Sequence, residues 1–268
     1  IIIVSRYVGC SFVVCTVSSE RGSKSKHRMK KFASPGYFYK QTTKLIPWLA
    51  VAAGVLLAYG LLAGLFIAPI DYQQKHAVKI MYVHVPCALL SLSIYTIIGL
   101  MSGIYLIWKI KIANIIAKVS APIGASVTAI ALLSGSLWGK PMWGTWWVWD
   151  ARLTSELILL FLYFGYIGLR SAIRDEKIAA TTSAILALVG LVDIPIIHYS
   201  VNWWHTLHQG ASISRFAKPA IASAMLYPLL SMLFAGYLMY GLLVCMNARS
   251  EILWRERNSE WVKKLVKF

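Results

Sequence analysis

The chain has 268 residues, is 58% hydrophobic and 14% charged, and has a mean hydropathy of +0.64. Apolar runs long enough to supply the about 20 helical residues that cross a bilayer recur along it, which excludes a water-soluble enzyme, and their uniformity excludes the alternating strands of a barrel. The net charge of +17 would suit nucleic acid, but the basic residues gather at alternate ends of the apolar runs, as a topology signal requires, so no nucleic-acid partner is expected. The expected fold class is all-α: a polytopic membrane protein with six transmembrane helices and a tryptophan-rich interfacial segment on its outer face.

Residues 1–28 mix Ser, Lys and Arg without period around an apolar patch at Phe12–Val14, too short to span and lacking the apolar core of a cleaved signal peptide. Met29 is the first methionine, and native translation is expected to start there, with residues 1–28 an upstream extension. A basic cytoplasmic segment over 29–44 leads into a six-helix membrane domain over 45–246, and a basic cytoplasmic tail covers 247–268. The first span is Leu45–Ala68, followed by the polar link Asp71–Lys79. The second, Tyr82–Trp108, carries His84 and Pro86 near its start, and Lys109, Lys111 and Lys118 form a basic link. The third, Val119–Leu137, runs into the segment Trp138–Glu156. Leu153–Leu169 is the fourth, Arg170–Lys177 a charged turn, and Ile178–Ile197 the fifth, with Asp193 and Pro195 near its end. A second unusual segment, His198–Arg215, precedes the sixth span, Ala220–Met246. Cys10, Cys15, Cys87 and Cys245 form no C-x-x-C pair, so thiol redox chemistry and a zinc site lack support; Cys87 and Cys245 read as small packing residues.

With both termini on the cytoplasmic side, 21 of the 27 Lys and Arg residues fall inside, and six (Lys75, Lys79, Lys140, Arg152, Arg215 and Lys218) fall outside. That orientation brings three distant stretches to one membrane face: the start of the second span with His84, the tryptophan segment, and the end of the fifth span with His198.

The tryptophan segment, WGKPMWGTWWVWDARLTSE, holds five Trp in its first twelve residues, broken by Gly139, Pro141 and Gly144 and closed by Asp150, Arg152 and Glu156. So many indoles would be costly in water, and an ordinary spanning helix does not concentrate Gly, Pro and charge at one point. A platform at the membrane interface that receives a flat, apolar, partly charged molecule fits this pattern; the competing reading is an aromatic belt at headgroup level. If its middle is helical, Trp143, Trp146, Trp147 and Asp150 share one face. Two histidines beside such a platform suit the iron of a haem, with the indoles against the porphyrin; hydrogen-bonded interfacial residues are the alternative for each. His205 and His208 rank lower, because a loop histidine in water costs nothing; His76 ranks lower still, and His27 precedes the expected start. Lys140, Arg152 and Arg215 are candidate partners for propionates, with headgroup contact or an Asp150–Arg152 pair as alternatives. Asp150 is also a candidate cap of the fourth helix, and Glu156 and Asp193 are expected to brace the outer region by hydrogen bonds rather than catalyse.

WGTWWVWDARLTSE at Trp143–Glu156 closely resembles the "WWD" signature of haem-handling proteins of cytochrome c biogenesis. MYVHVP around His84 and PIIHYSVNWWHTLHQG around His198 resemble the histidine-bearing segments of one branch, the cytochrome c maturation protein C family (haem exporter protein C), and the likeness runs from Ile46 through Arg215. The resemblance implies six helices and non-covalent haem b held on the periplasmic side of a bacterial inner membrane, or on the intermembrane-space side in mitochondria. It carries the axial ligands to His84 and His198 and the platform to Trp143, Trp146, Trp147, Trp149 and Asp150; Trp138 and Arg152 complete the expected haem contacts. The implied partners are an ABC transporter's ATPase and membrane subunits, a small single-span accessory protein, membrane lipid, and a membrane-anchored haem chaperone that takes the haem. On this reading the chain is a delivery and assembly factor with no catalytic residue. A b-type haem redox subunit of a membrane enzyme and an autonomous haem permease are the alternatives. The first typically stacks two haems, yet no span carries an inner-side histidine; the second predicts midplane polar residues, which spans one to four lack as charges.

Overall fold

The computed structural model describes residues 34–208 and 221–265, so the extension 1–28, the Met29 start, Arg215 and Lys218 lie outside the described residues. The described chain is helical, with one isolated bridge between Asp71 and Lys75 and no strand among the described residues. In order, α1 is Pro35–Leu62, α2 Met81–Trp108, α3 Lys111–Trp143, α4 Ala151–Ala172, α5 Glu176–Gly190, α6 Asp193–Trp203, α7 Ser223–Arg255 and α8 Glu260–Leu265. Six stretches are long and apolar enough to cross a membrane: Pro35–Ile67, His76–Trp108, Lys111–Trp143, Ala151–Ala172, Glu176–Trp203 and Ser223–Arg255. Each contains most or all of an expected span, and most run further at one or both ends. At 1.5 Å per residue the 33 residues of α3 reach about 50 Å, against about 30 Å of hydrocarbon, so its ends project into the interfaces.

Local chemistry sets the breaks. Pro35 opens α1, where its missing N–H forfeits nothing. Asp150 Oδ1 accepts Leu153 N at 2.8 Å and caps α4, as expected, and Asp175 Oδ1 caps α5 through Lys177 N and Ile178 N. The fifth span is interrupted at Leu191–Val192 and resumes as α6 with Pro195 in its first turn, where the first N–H groups have no intrahelical partner.

In the bundle α2 lies along α3, α1 along α7 and α4 along α5. The main core joins Ile94, Tyr95 and Ile98 of α2, Ala117 and Ala121 of α3, and Leu159, Tyr163 and Tyr166 of α4. With no water to solvate it, the Tyr163 hydroxyl donates to Ser91 O at 2.7 Å, and its ring meets Tyr95 edge-on at 5.1 Å. Gly124 of α3 makes that seat, because a Cβ there would fall on the Tyr163 ring. At the bundle end away from the Trp138–Glu156 segment, Glu251 takes Lys118 and Arg255 at 2.6 Å each, and Glu176 takes Arg255 at 2.5 Å and Arg170 at 2.8 Å. These contacts tie α3, α7, α4 and α5 together. Cys245 is buried and Cys87 half-buried, in keeping with packing roles.

Gly124→Val should force Tyr163 off its seat, an overpacking change that costs about 1–3 kcal/mol. The check is the apparent Tm of the detergent-solubilised protein, which should fall for Gly124→Val and stay put for Gly54→Val, where no atom lies within 4 Å of the added carbon.

Candidate functional site

The tryptophan segment is built by a helix end. α3 continues through Trp138 to Trp143 and stops at Gly144, whose φ of 77° is the left-handed conformation favoured one residue past a helix. Gly144 N donates to Lys140 O at 3.1 Å, and Lys140 Nζ returns to Gly144 O at 3.0 Å. Gly144–Trp146 then bends, and Trp147–Asp150 has no regular structure before the Asp150 cap. The expected single helical face of Trp143, Trp146, Trp147 and Asp150 is therefore corrected: the glycine ends the helix between the first of them and the rest.

Beside this segment lies a cavity of about 800 Å³, counted with the space open to solvent. Its apolar walls combine indoles with aliphatic and small residues: Trp138, Trp143 and Trp147 stand with Leu132, Met142, Leu153, Ala88, Ala131 and Gly135. The polar groups that enter it are Gln74, His84, Ser136, Arg152, Glu156 and His208.

His84, in the first turn of α2, faces α3. Its Nδ1 stands 2.9 Å from Ala131 O and 3.2 Å from Ser134 Oγ. A carbonyl only accepts, so Nδ1 carries the proton and Nε2 keeps the lone pair that a metal takes. The ring fits because position 135 is glycine; a Cβ there would stand 2.9 Å from His84 Cε1. The Trp138 ring meets His84 edge-on at 5.7 Å, and the His208 ring lies 6.3 Å from it, centre to centre. Trp143 in turn stands 6.4 Å from His208.

Below the imidazoles, Arg152 Nη1 donates to Ile197 O at 2.5 Å, which fastens α4 to α6. Glu156, one turn on and only 7% exposed, accepts Ser91 Oγ at 2.6 Å, so it braces α4 against α2 as expected. Asp193 is buried as well, and its Oδ2 has no hydrogen-bond partner among the described residues. The same holds for Trp147 Nε1 and Asp150 Oδ2.

The expected site residues thus divide. His84, Trp138, Trp143, Trp147 and Arg152 line one cavity. Trp146 is 54% exposed beneath Lys140, Trp149 is 75% exposed against Trp147, and Asp150 serves as the cap; none of the three is in the cavity wall. His198 is not in it either. α6 buries Asp193, Ile197 and Ser200, the i, i+4, i+7 face, and one residue on from Ile197 the His198 ring is exposed and packs on Tyr199 at 4.8 Å. Its place opposite His84 is taken by His208, from the segment after α6. Read as a loop histidine in water, His208 ranks below His198 in the sequence, and Gln74 and Gly135 carry no signal there. The alternation of buried and exposed residues along α6 was the available signal against His198.

The sequence matches the family model described as heme exporter protein C over residues 28–263. It is 47% identical to heme exporter protein C of Escherichia coli (strain K12) over 238 residues, which covers 89% of this chain and 96% of that one. The protein of the same name from Haemophilus influenzae is 46% identical over 235 residues, covering 88% and 96%. A cytochrome c biosynthesis ccmC-like mitochondrial protein of Marchantia polymorpha is 42% identical over 198 residues, covering 74% and 84%. A match along nearly the whole described bundle, at this identity and with near-complete coverage of the relatives, means that the chain belongs to the heme exporter protein C family.

Proposed function

We propose that the cavity receives haem b without a covalent bond, with His84 and His208 as the axial pair, and presents it to a membrane-anchored haem chaperone. The observation that carries this reading is the spacing of the two imidazoles, 6.3 Å between ring centres. Bonds of about 2 Å to a shared metal, plus about 1.2 Å from nitrogen to ring centre, set two axial imidazoles about 6.4 Å apart. Two nitrogens are also what an iron already ringed by a porphyrin lacks, and the indoles of Trp138, Trp143 and Trp147 offer the macrocycle apolar faces. Arg152 supplies a cation for a propionate, and the buried Trp147 Nε1–H is a donor that a propionate or a water would satisfy. His198 is replaced in this assignment by His208.

In this reading the cavity lies on the outer side, periplasmic in a bacterial inner membrane and facing the intermembrane space in a mitochondrion, with both termini in the cytoplasm or matrix. The distribution of Lys and Arg supports that orientation. The chain works as a delivery and assembly factor beside the ATPase and membrane subunits of an ABC transporter and a small single-span protein; the names of its relatives, heme exporter, support a transport assembly.

Single cysteines introduced in a variant lacking the native ones test the orientation. A cysteine at Lys75 should react with an impermeant maleimide from the periplasmic side, and cysteines at Lys111 and Asp175 only after the membrane is opened. The reverse pattern would put the cavity on the cytoplasmic side and sink the delivery reading.

The ligand assignment has its own test. Purified His84→Ala and His208→Ala should lose the low-spin spectrum of a haem with two imidazoles and retain less haem by pyridine haemochrome, while His198→Ala should keep both. Loss of the low-spin spectrum in His198→Ala with His208→Ala unaffected would reinstate His198.

The platform is tested by Trp143→Ala with Trp147→Ala. Each indole contributes about 1.5–3 kcal/mol if fully buried, so haem retention should weaken by one to several powers of ten, with membrane abundance unchanged on immunoblot. Normal haem content and normal haem on the chaperone would return the tryptophans to an aromatic belt.

A further inference from the structure

Gln74 reaches the cavity from the turn between α1 and α2, and that turn is held by its own backbone. Asp71 Oδ1 accepts the N–H of Gln73 and of Gln74, each at 2.8 Å. Lys75 N donates to Asp71 O, and Ala77 N to Gln74 O, both at 3.0 Å. Lys75 itself sits at φ 51°, a conformation that a residue with a side chain adopts only when its surroundings impose it. Lys79 Nζ donates to Leu65 O, which ties the far side of the turn to the last turn after α1. Ala68 and Val78 are buried with Met81 and Tyr82 under the turn, and Trp138 packs on that cluster.

The side chain delivered by this frame ends on an indole. Trp138 Nε1 donates to Gln74 Oε1 at 3.0 Å. An indole nitrogen is a donor only, so the amide must present its oxygen to it. Trp138 is the ring that meets His84 edge-on at 5.7 Å, with an interplanar angle of 79°. His84 is therefore bounded by the Ala131 carbonyl at Nδ1, by Gly135 at Cε1, and by an indole whose own angle is set from Gln74.

We propose that Gln74 is a positioning residue of the haem site: its amide oxygen fixes the Trp138 indole, and the indole fixes the plane of the His84 imidazole. This rests on the reading of the cavity as a haem site with His84 as ligand. Gln74 does not bond to iron in this role. Removal of its oxygen leaves the Trp138 N–H unpaired in an apolar wall, the indole turns to find another acceptor, and His84 loses its edge contact.

The test uses the full chain, haem-loaded in detergent, as wild type, Gln74→Leu, Gln74→Glu, Trp138→Phe and the double variant Gln74→Leu/Trp138→Phe. Gln74→Leu should weaken haem retention about three- to tenfold, the effect of one hydrogen bond, and convert part of the low-spin spectrum to high-spin. Trp138→Phe, which lacks the donor and also trims an apolar wall, should lose at least as much, and the double variant should be no worse than Trp138→Phe alone. Gln74→Glu retains an acceptor at the same reach and should restore the low-spin spectrum. A low-spin wild type with Gln74→Leu indistinguishable from it, or with the two single effects simply adding, would overturn the positioning role and leave the haem site standing. A wild type whose haem lacks imidazole ligation would instead overturn the haem-site reading on which it rests. Membrane abundance and elution profile accompany each variant, and if Gln74→Leu fails to accumulate, Trp138→Phe and Gln74→Glu decide the matter by the same spectrum.

Discussion

The hydrogen bond from His84 Nδ1 to Ala131 O is the contact on which the cavity depends. It joins the first turn of α2 to the second half of α3, and it settles which imidazole nitrogen keeps its lone pair. A carbonyl inside a helix already serves its own ladder, but it has two lone pairs and takes a second donor where the neighbouring turn leaves room. Gly135 leaves that room. The helix-weakening residue in the second half of α3 is thus at the place where two helices approach with an imidazole between them. In a bilayer, close approach is the main source of helix association, so the same glycine serves packing and site at once.

The two ends of the bundle are held by different chemistry. One is cross-linked by charge: Glu251 and Glu176 each take two cations, Arg255 being shared, in a network that joins four helices. Such a network, partly shielded from solvent, ties α3, α4, α5 and α7 to one another at that end. The cavity end is held mostly by neutral hydrogen bonds and edge-on rings, with Arg152 on a backbone carbonyl rather than on a carboxylate. Its remaining capacity is in groups without a partner among the described residues, Trp147 Nε1 and Asp150 Oδ2. A site that must accept a ligand and give it up benefits from such an arrangement, because partners that a ligand replaces need not first be torn from a salt bridge.

Most of the fold was legible in the sequence because water is absent from the hydrocarbon: long apolar runs have one way to satisfy their backbones, and the six runs are six helical spans, the fifth in two pieces. Helix ends were less legible, since α3 extends past its apolar run through Pro141 to Trp143, stabilised by interfacial indoles that hydropathy does not count as spanning. The break at Gly144 was readable as a left-handed glycine, and it separates Trp143 from Trp146 and Trp147, which end on different surfaces. The histidines show where reading along the chain stops working. A histidine at the end of a span ranks above one in a loop, but position along the chain says nothing of azimuth, and α6 turns Ile197 and Ser200 inward and His198 out. His208 reaches the cavity by the path of the chain after Trp203, which no period encodes.

The same limit explains why Gln74 carried no signal of its own. It lies in a polar link of nine residues, Asp71–Lys79, whose composition suits any loop at a membrane surface. What distinguishes it is the length of α1 and its final turn, which set where the link emerges, and the Asp71 carboxylate, which closes the turn on Gln74 N. A side chain in a loop becomes a fixed wall of a cavity when its backbone is pinned on both sides and its one acceptor meets a donor on the facing helix. Trp138, in the last turns of α3, supplies that donor, and so a link between the first two spans comes to shape the contact between the second and the third.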